Sequence, residues 1–324
     1  MKIVAGVVLG AACLWLTFRG TDLSLVGEVV SRVHLLWIWT ALALVALTVT
    51  VVSRRWQLLV HRGERPRGVS RFVAAVIVGQ MLNVLLPIRL GEAVRAYWIS
   101  RTEHEPLPRV FATLAIERLA DLLVLGAGVM VLLVQLSLPA WARTSGRLTL
   151  AVSVAAIGTA LALAKWGTSA LRLLDHPVPF VPERLRLFLT RQGHMAFDEL
   201  RAFGDWRASA HVWALSLLIV LLAVATNYVL FHAFDLRLSP AVALMLFVVL
   251  QIGVAPASTP GNVGVFHYLV VLVLTAFGVD RAVAVAYAVV LHAVAYGPKI
   301  IAGAIIVSTM DTPVLKRAAW TQPA

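Results

Sequence analysis

Seven charged side chains fall in or beside apolar stretches of this chain, where each is costly to keep. Arg89, Glu92 and Arg95 recur at a spacing of three, and Glu117, Arg118 and Asp121 form a second group. Lys299 follows Pro298 deep in the last apolar stretch. Ionisable groups at membrane depth mark function or pairing by default. The first spacing puts its three residues on one side of a short helix beginning near Gly91. Unwound backbone over Pro87–Gly91 would leave free amides at that helix start, which favour an anion. Two guanidinium forks suit a phosphate, and Glu92 can orient one of them. Glu117 and Asp121 are four apart and share a helix face, with Arg118 about a hundred degrees away. An isolated carboxylate pair in hydrocarbon would hold a proton, whereas Arg89 or Arg95 would keep it ionised. The two groups are therefore expected to meet.

A third element is Pro256-Ala257-Ser258-Thr259-Pro260-Gly261-Asn262-Val263-Gly264, with His267 one turn further on. Gly and Pro break a helix there, and Ser258, Thr259 and Asn262 offer neutral hydrogen bonds. Arg89, Arg95, Arg118 and Lys299 against Glu92, Glu117 and Asp121 make four positive and three negative groups, a balance suited to an anionic headgroup. A plainer reading stays open: buried ion pairs can simply lock helices together, and Arg89–Arg109 can lie in an interface where arginines snorkel.

Other chemistry is not legible. The sequence has no HExxH, P-loop, dinucleotide fingerprint or nucleophile elbow, so a transporter is expected over an enzyme, with no cofactor and no metal. A single cysteine rules out an internal disulfide framework and a cysteine-rich zinc site. His61, His211, His232 and His292 read as interfacial or packed. Gln80, Asn83, Asn227 and Gln251 read as interhelical hydrogen-bond partners. The tryptophans, among them Trp37, Trp39, Trp56, Trp166 and Trp213, read as an interfacial belt.

The elements that must position these groups follow from composition. The 324 residues are 60% apolar and 14% charged, with a mean hydropathy of +0.88. Soluble chains are about 25% charged; this one could supply on the order of eight or nine bilayer crossings. The net charge of +12 fits cytoplasmic loops and anionic lipid better than nucleic acid, for which no binding motif is present. An all-α polytopic bundle forming one domain over 1–324 is expected.

Apolar runs occur at Ile3–Phe18, His34–Ser53, Phe72–Leu86, Thr113–Leu138, Leu148–Trp166, Val212–Ala233, Val242–Val254, Val263–Phe277 and Ala282–Ser308. The first reads as an uncleaved helix, since Gly10 stands where a lipoprotein cleavage site wants a larger aliphatic residue. Segments 54–71 and 167–211 are arginine-rich and expected in the cytoplasm, with both termini, in an inner (plasma) membrane. Residues 183–203 alternate arginine with Leu185, Phe188 and Leu189, as in an amphipathic helix on the inner leaflet or a solvated loop helix. Parity then gives six full spans and two broken hairpins, one dipping from each side. They form an inverted repeat of halves about 1–166 and 211–310, joined by 167–210. Full crossing by all four short segments satisfies parity equally.

Pro87-Ile88-Arg89-Leu90-Gly91-Glu92-Ala93-Val94-Arg95 resembles the P-x-R-x-G-E-x-x-R signature of the lysylphosphatidylglycerol synthase transmembrane, or flippase-like, family. Glu117-Arg118-Leu119-Ala120-Asp121 resembles its E-R-x-x-D element, and Pro260-Gly261-Asn262-Val263-Gly264-Val265-Phe266-His267 its P-G-x-x-G-x-x-E element, with His267 in place of the usual Glu. Order and separations match over nearly the whole chain. Aminoacyl-transferring members carry a large soluble domain that has no counterpart in these residues, so the resemblance implies the lipid-moving half. It implies an integral membrane translocase for an anionic, aminoacylated or polyprenyl-linked lipid. The substrate would be bound by Arg89, Glu92, Arg95, Glu117, Arg118, Asp121, Ser258, Pro260, Gly261, Asn262, His267 and Lys299. The expected partner is a membrane lipid of phospholipid or polyprenyl-phosphate type; a lipid-modifying synthase and a homo-oligomer are compatible with it. The alternatives are a membrane transferase using Glu117 or Asp121 as base, and a non-transporting subunit of an envelope-lipid synthase.

Overall fold

The computed structural model describes residues 2–61, 68–86, 90–135, 206–257 and 259–309, with a few helical residues between 150 and 159. All regular structure among the described residues is helical. The helices are α1 (Lys2–Phe18), α2 (Leu23–Ser31), α3 (Leu35–Val60), α4 (Ser70–Leu85), α5 (Gly91–Glu103), α6 (Leu107–Gln135), α7 (Trp206–Ala233), α8 (Pro240–Ala257), α9 (Val265–Ala276) and α10 (Arg281–Thr309), with a 3-10 turn at Pro260–Asn262. The expected span Leu148–Trp166 lies largely outside the described residues, and the expected amphipathic stretch 183–203 wholly so.

Polarity runs from inside to outside. Val8, Leu36, Val134 and Ile301 are more than 60% exposed, while Arg55, Gln57, Arg95, Thr113, Glu117 and Asn227 are buried. Aliphatic side chains face outward while these few polar groups are held inside an otherwise apolar core, which suits hydrocarbon as solvent, where polar groups must be satisfied within the chain. Among the described residues, three segments are long and apolar enough to cross a bilayer: Leu35–Val60, Ala210–Ala233 and Arg281–Thr309.

The long helices set the frame. α3 and α7 pack antiparallel along their whole length. His34 N–H donates to the Ala233 carbonyl at 3.1 Å, Arg55 meets Ser216, and Leu59 packs with Val212. α10 runs antiparallel to α7 at one end, where the Tyr287 hydroxyl donates to the Asn227 carbonyl at 3.0 Å. It runs antiparallel to α4 at the other, where Gly303 faces Met81. The ends of α3, α7 and α10 that flank the arginine-rich sequences therefore lie together, as the charge pattern requires.

Two short-helix pairs fill this frame. Along α4 and α5, Asn83 meets Gly91, Gly79 meets Arg95 and Arg71 reaches Glu103 at 3.2 Å, a single antiparallel register. The pair thus enters and leaves at the arginine-rich end, with its tip between Leu85 and Gly91. With 16 and 13 residues they extend only about 24 and 20 Å at 1.5 Å per residue, against a hydrocarbon core of about 30 Å. α8 and α9 pair from the opposite end, with Gly253 against Leu269. α4 packs against the 260–262 turn, so the two tips meet inside the bundle. This pairing matches the two opposed hairpins expected from segment length.

Several boundaries differ from the sequence expectation. α3 continues seven residues beyond Ser53, α6 begins six residues before Thr113, and α7 begins at Trp206. Arg54 and Arg55 therefore belong to a helix, although counting arginines assigns them to the loop 54–71. The Arg54 guanidinium donates to the Gln57 amide oxygen at 2.5 Å, and Arg55 finds partners inside the bundle. Residues 23–31, which no apolar run announces, form α2, whose first turn is capped by Asp22 accepting from the Ser24 N–H at 2.9 Å. The Ser24 hydroxyl, followed by that backbone bond, holds the Asp22 carboxyl below its usual range.

Candidate functional site

The first charged constellation centres on Glu117, whose side chain is 1% exposed. One carboxylate oxygen accepts from Arg55 Nη2 at 3.2 Å, and the other accepts from Arg95 Nη2. Arg55 also donates to Asp121 at 2.6 Å and to the Ser216 hydroxyl at 2.9 Å. Arg95 Nε lies 2.9 Å from Glu92 Oε2; neither atom is aligned for a hydrogen bond, so this contact is ionic only. Arg118 pairs with Glu92 and, at 3.4 Å, with Asp121. The two groups expected to meet do meet, and the carboxylates at 117 and 121 share Arg55.

The local sequence explains how they are held. Gly91 opens α5 with its N–H donating to the Asn83 side chain at 2.8 Å, which fixes the hairpin tip one turn before Arg95. Arg95 is sandwiched, with its guanidinium carbon 4.6 Å from the Trp56 ring, and Trp56 is fully buried. The Trp56 indole N–H donates to Thr113 Oγ1 at 3.1 Å, a bond that anchors the α3 ring to α6. Trp56 is thus a core residue, not a member of the interfacial belt: the extension of α3 carries it beneath Arg95. Trp56→Phe keeps most of the ring and removes the N–H. Since one buried hydrogen bond contributes about 1 kcal/mol, a fall of a few degrees in the detergent-solubilised melting midpoint is expected.

Arg55 changes the charge balance. Arg55, Arg95 and Arg118 face Glu92, Glu117 and Asp121, three against three among the described residues. Among the described residues the network is balanced once Arg55 is included. Its guanidinium groups are already engaged by carboxylates, so Arg95 is not a free phosphate ligand. Arg89, expected in the same cluster, lies outside the described residues, as does Ser258.

The second constellation lies at the tip of the α8–α9 hairpin. Gly261 and Asn262 have φ of 67° and 54°, and Gly264 has φ of 90°. α1 closes on this turn. A Cβ on Gly264 would overlap the Gly10 carbonyl oxygen, and one on Gly10 would lie 3.1 Å from the Val263 oxygen. Thr259, Asn262 and His267 are buried, while Pro260 is exposed. His267 stacks on His292 with ring centroids 4.8 Å apart, and His292 Nε2 lies 2.9 Å from the Gly261 oxygen. Tyr296 packs on both His292 and Phe266. Lys299 Nζ stands 5.9 Å from the Tyr296 ring centre. Lys299 lies one turn before Gly303, which contacts Met81, and so sits level with the C-terminal turn of α4.

The expected substrate residues therefore divide into two sets. Glu92, Arg95, Glu117, Arg118 and Asp121 form the balanced network; Pro260, Gly261, Asn262 and His267 gather at the second tip, with Lys299 two turns beyond His292 on α10. Arg55, Ser216, Thr113 and Gly10 are the members that sequence reading missed. Arg55 is hidden in an arginine run, and the others are types that carry no signal alone. His292, expected to be interfacial or packed, packs against the 260–262 turn.

A curated protein of Haloferax volcanii, glycosyltransferase AglD, is 28% identical over 350 aligned residues, which cover 94% of this chain and 53% of that protein. The chain thus spans about half the length of the curated relative it matches. Residues 3–303 match the family model described as lysylphosphatidylglycerol synthase TM region. With nearly the whole described bundle inside that match, the chain belongs to the lysylphosphatidylglycerol synthase TM region family of membrane proteins.

Proposed function

We propose that the protein is a lipid translocase that passes a lipid headgroup between leaflets through the junction of its two hairpin tips. The observation that carries this reading is the contact of two interrupted helix pairs entering from opposite ends. Broken helices that meet inside a bundle offer backbone dipoles and polar side chains at the one depth where a headgroup would otherwise be unsolvated. On this reading the protein sits in a plasma membrane with its arginine-rich end in the cytoplasm, the side that the positive-inside rule assigns to it.

The test is a vesicle assay. Full-length protein is reconstituted with a headgroup-labelled phosphatidylglycerol, and a membrane-impermeant quencher reads the fraction accessible from outside. Wild type is expected to expose nearly all the label within minutes, and protein-free vesicles about half. Lys299→Ala is expected to slow the exchange at least tenfold while eluting as a monodisperse species. Wild-type vesicles that keep half their label protected would reject translocation.

The name of the Haloferax relative favours a second reading, a membrane transferase acting on a lipid carrier. Both oxygens of Glu117 and both of Asp121 accept from guanidinium groups or lie within ion-pairing reach of one, which leaves neither as a ready general base. Product formation by the purified chain from a labelled sugar donor and a polyprenyl phosphate would decide for that reading.

A further inference from the structure

We infer that the N-terminal turn of α9 is an oxyanion subsite that takes the phosphate ester of a lipid, with Lys299 as its cation. The inference deepens the translocase reading by assigning the chemistry of the second tip, and it separates that tip from the balanced network beneath the first.

Three observations converge. α9 has 12 residues and no side-chain cap. Its first hydrogen bond runs from the Tyr268 N–H to the Gly264 oxygen at 2.9 Å, so the amides of Val265, Phe266 and His267 face the break at the positive end of the helix dipole. Two buried polar atoms at this turn, Thr259 Oγ1 and His267 Nδ1, have no hydrogen-bond partner among the described residues. Thr259 is 4% and His267 7% exposed. Side chains in a first helical turn lean back toward the N-terminus, and His267 stacks on the ring that touches Gly261, which places its imidazole at the break. A buried unpaired polar atom costs about 1–3 kcal/mol; two at one turn mark a place completed by something else.

The third observation is charge. The elements packed on this turn are α1, α4, α8 and α10, and none contains an Asp or Glu; nor does α9. Lys299 has no carboxylate within ion-pairing distance among the described residues and stands one aromatic ring away from Phe266. In a low-dielectric interior, uncapped amides and an unpaired ammonium favour a negative ligand. An aminoacyl headgroup's free amine would find no counter-ion here, whereas a phosphate would.

Binding is read separately from transport. The full chain in neutral detergent is titrated with phosphatidic acid, with a diacylglycerol of the same acyl chains, and with inorganic phosphate, and adducts are counted by native mass spectrometry. Phosphatidic acid is expected to bind at least tenfold tighter than diacylglycerol. Lys299→Gln should weaken it at least tenfold and Thr259→Val about threefold, while Arg237→Gln, an exposed cation beyond α7, should leave it unchanged. Competition by millimolar inorganic phosphate would support recognition of the phosphate itself. Its failure, with the variant pattern intact, would assign the site to a tethered headgroup. Equal binding of diacylglycerol, equal loss in Arg237→Gln, or loss confined to Lys299→Gln would each overturn the assignment. Vesicles that fail to flip lipid while this pattern holds would remove the translocase reading and leave the subsite. Vesicles that flip lipid without phosphate discrimination would do the reverse.

Discussion

Glu117→Ala is expected to cost the fold on the order of 3–5 kcal/mol, the range for stripping the partner from a buried ion pair. The reason is geometric. Glu117 binds Arg55 with one oxygen and Arg95 with the other, and both guanidinium groups are at most 5% exposed. Removing the carboxylate strands positive charge in the apolar interior. Arg55 keeps Asp121 at 2.6 Å and Ser216 at 2.9 Å; Arg95 keeps only its misaligned ionic contact with Glu92 and the Trp56 face. Glu117→Gln retains the shape and one acceptor, so a smaller loss is expected. The informative variant is the double exchange Arg95→Met with Glu117→Met. Neither half of the pair is then left alone, and the double variant should melt above Glu117→Ala. Melting midpoints in detergent, followed by size-exclusion, measure the series. A Glu117→Ala protein that melts with wild type would show that the network contributes little to stability. The same reasoning makes Glu117 a poor probe of transport, because lost flipping would report lost folding.

What the sequence reveals here depends on whether a residue's type or only its neighbour carries the signal. The all-helical bundle and the two short pairs follow from run length and apolar content, which hydrocarbon enforces on every residue. Arg95 and Glu117 could be paired on paper because a charge in an apolar run needs a counter-charge. Arg55 could not. It sits in a run of arginines that the positive-inside rule assigns wholesale to solvent, and only the packing of α3 on α6 and α7 separates it from Arg54 next door. Trp56 was misread for the same reason, since an aromatic residue beside arginines has the composition of an interface. Gly10 shows the limit most clearly. A glycine in an apolar helix has no side chain to announce a partner, and its role depends on where Gly264 arrives, 254 positions later.

That contact makes Gly264→Ala the most damaging single-methyl change expected at the second tip. Two separable effects act there. Gly264 has φ of 90° and ψ of −71°, a sparsely populated conformation that costs a residue with a Cβ about 1–3 kcal/mol. The added methyl would also overlap the Gly10 carbonyl oxygen, a backbone atom that cannot swing aside as a side chain would. Overpacking of this kind costs about 1–3 kcal/mol, so the sum is on the order of 2–6 kcal/mol. Gly278→Ala shows a positive-φ cost without the clash: its φ is 80°, and nothing lies within 4 Å of the new methyl. Gly27→Ala, in α2 with open space around it, should gain about 0.5–1 kcal/mol, the ordinary advantage of alanine in a helix. Gly91→Ala tests the other tip, where the methyl would meet the Gly79 carbonyl and the Asn83 amide oxygen. The expected order of melting midpoints is Gly27→Ala above wild type, then Gly278→Ala, with Gly91→Ala and Gly264→Ala lowest. Gly264→Ala level with Gly278→Ala would mean that α1 does not close on the turn. The buried, unpartnered atoms of Thr259 and His267 would then be open to the lipid, and the case for a ligand completing them would fall with the contact.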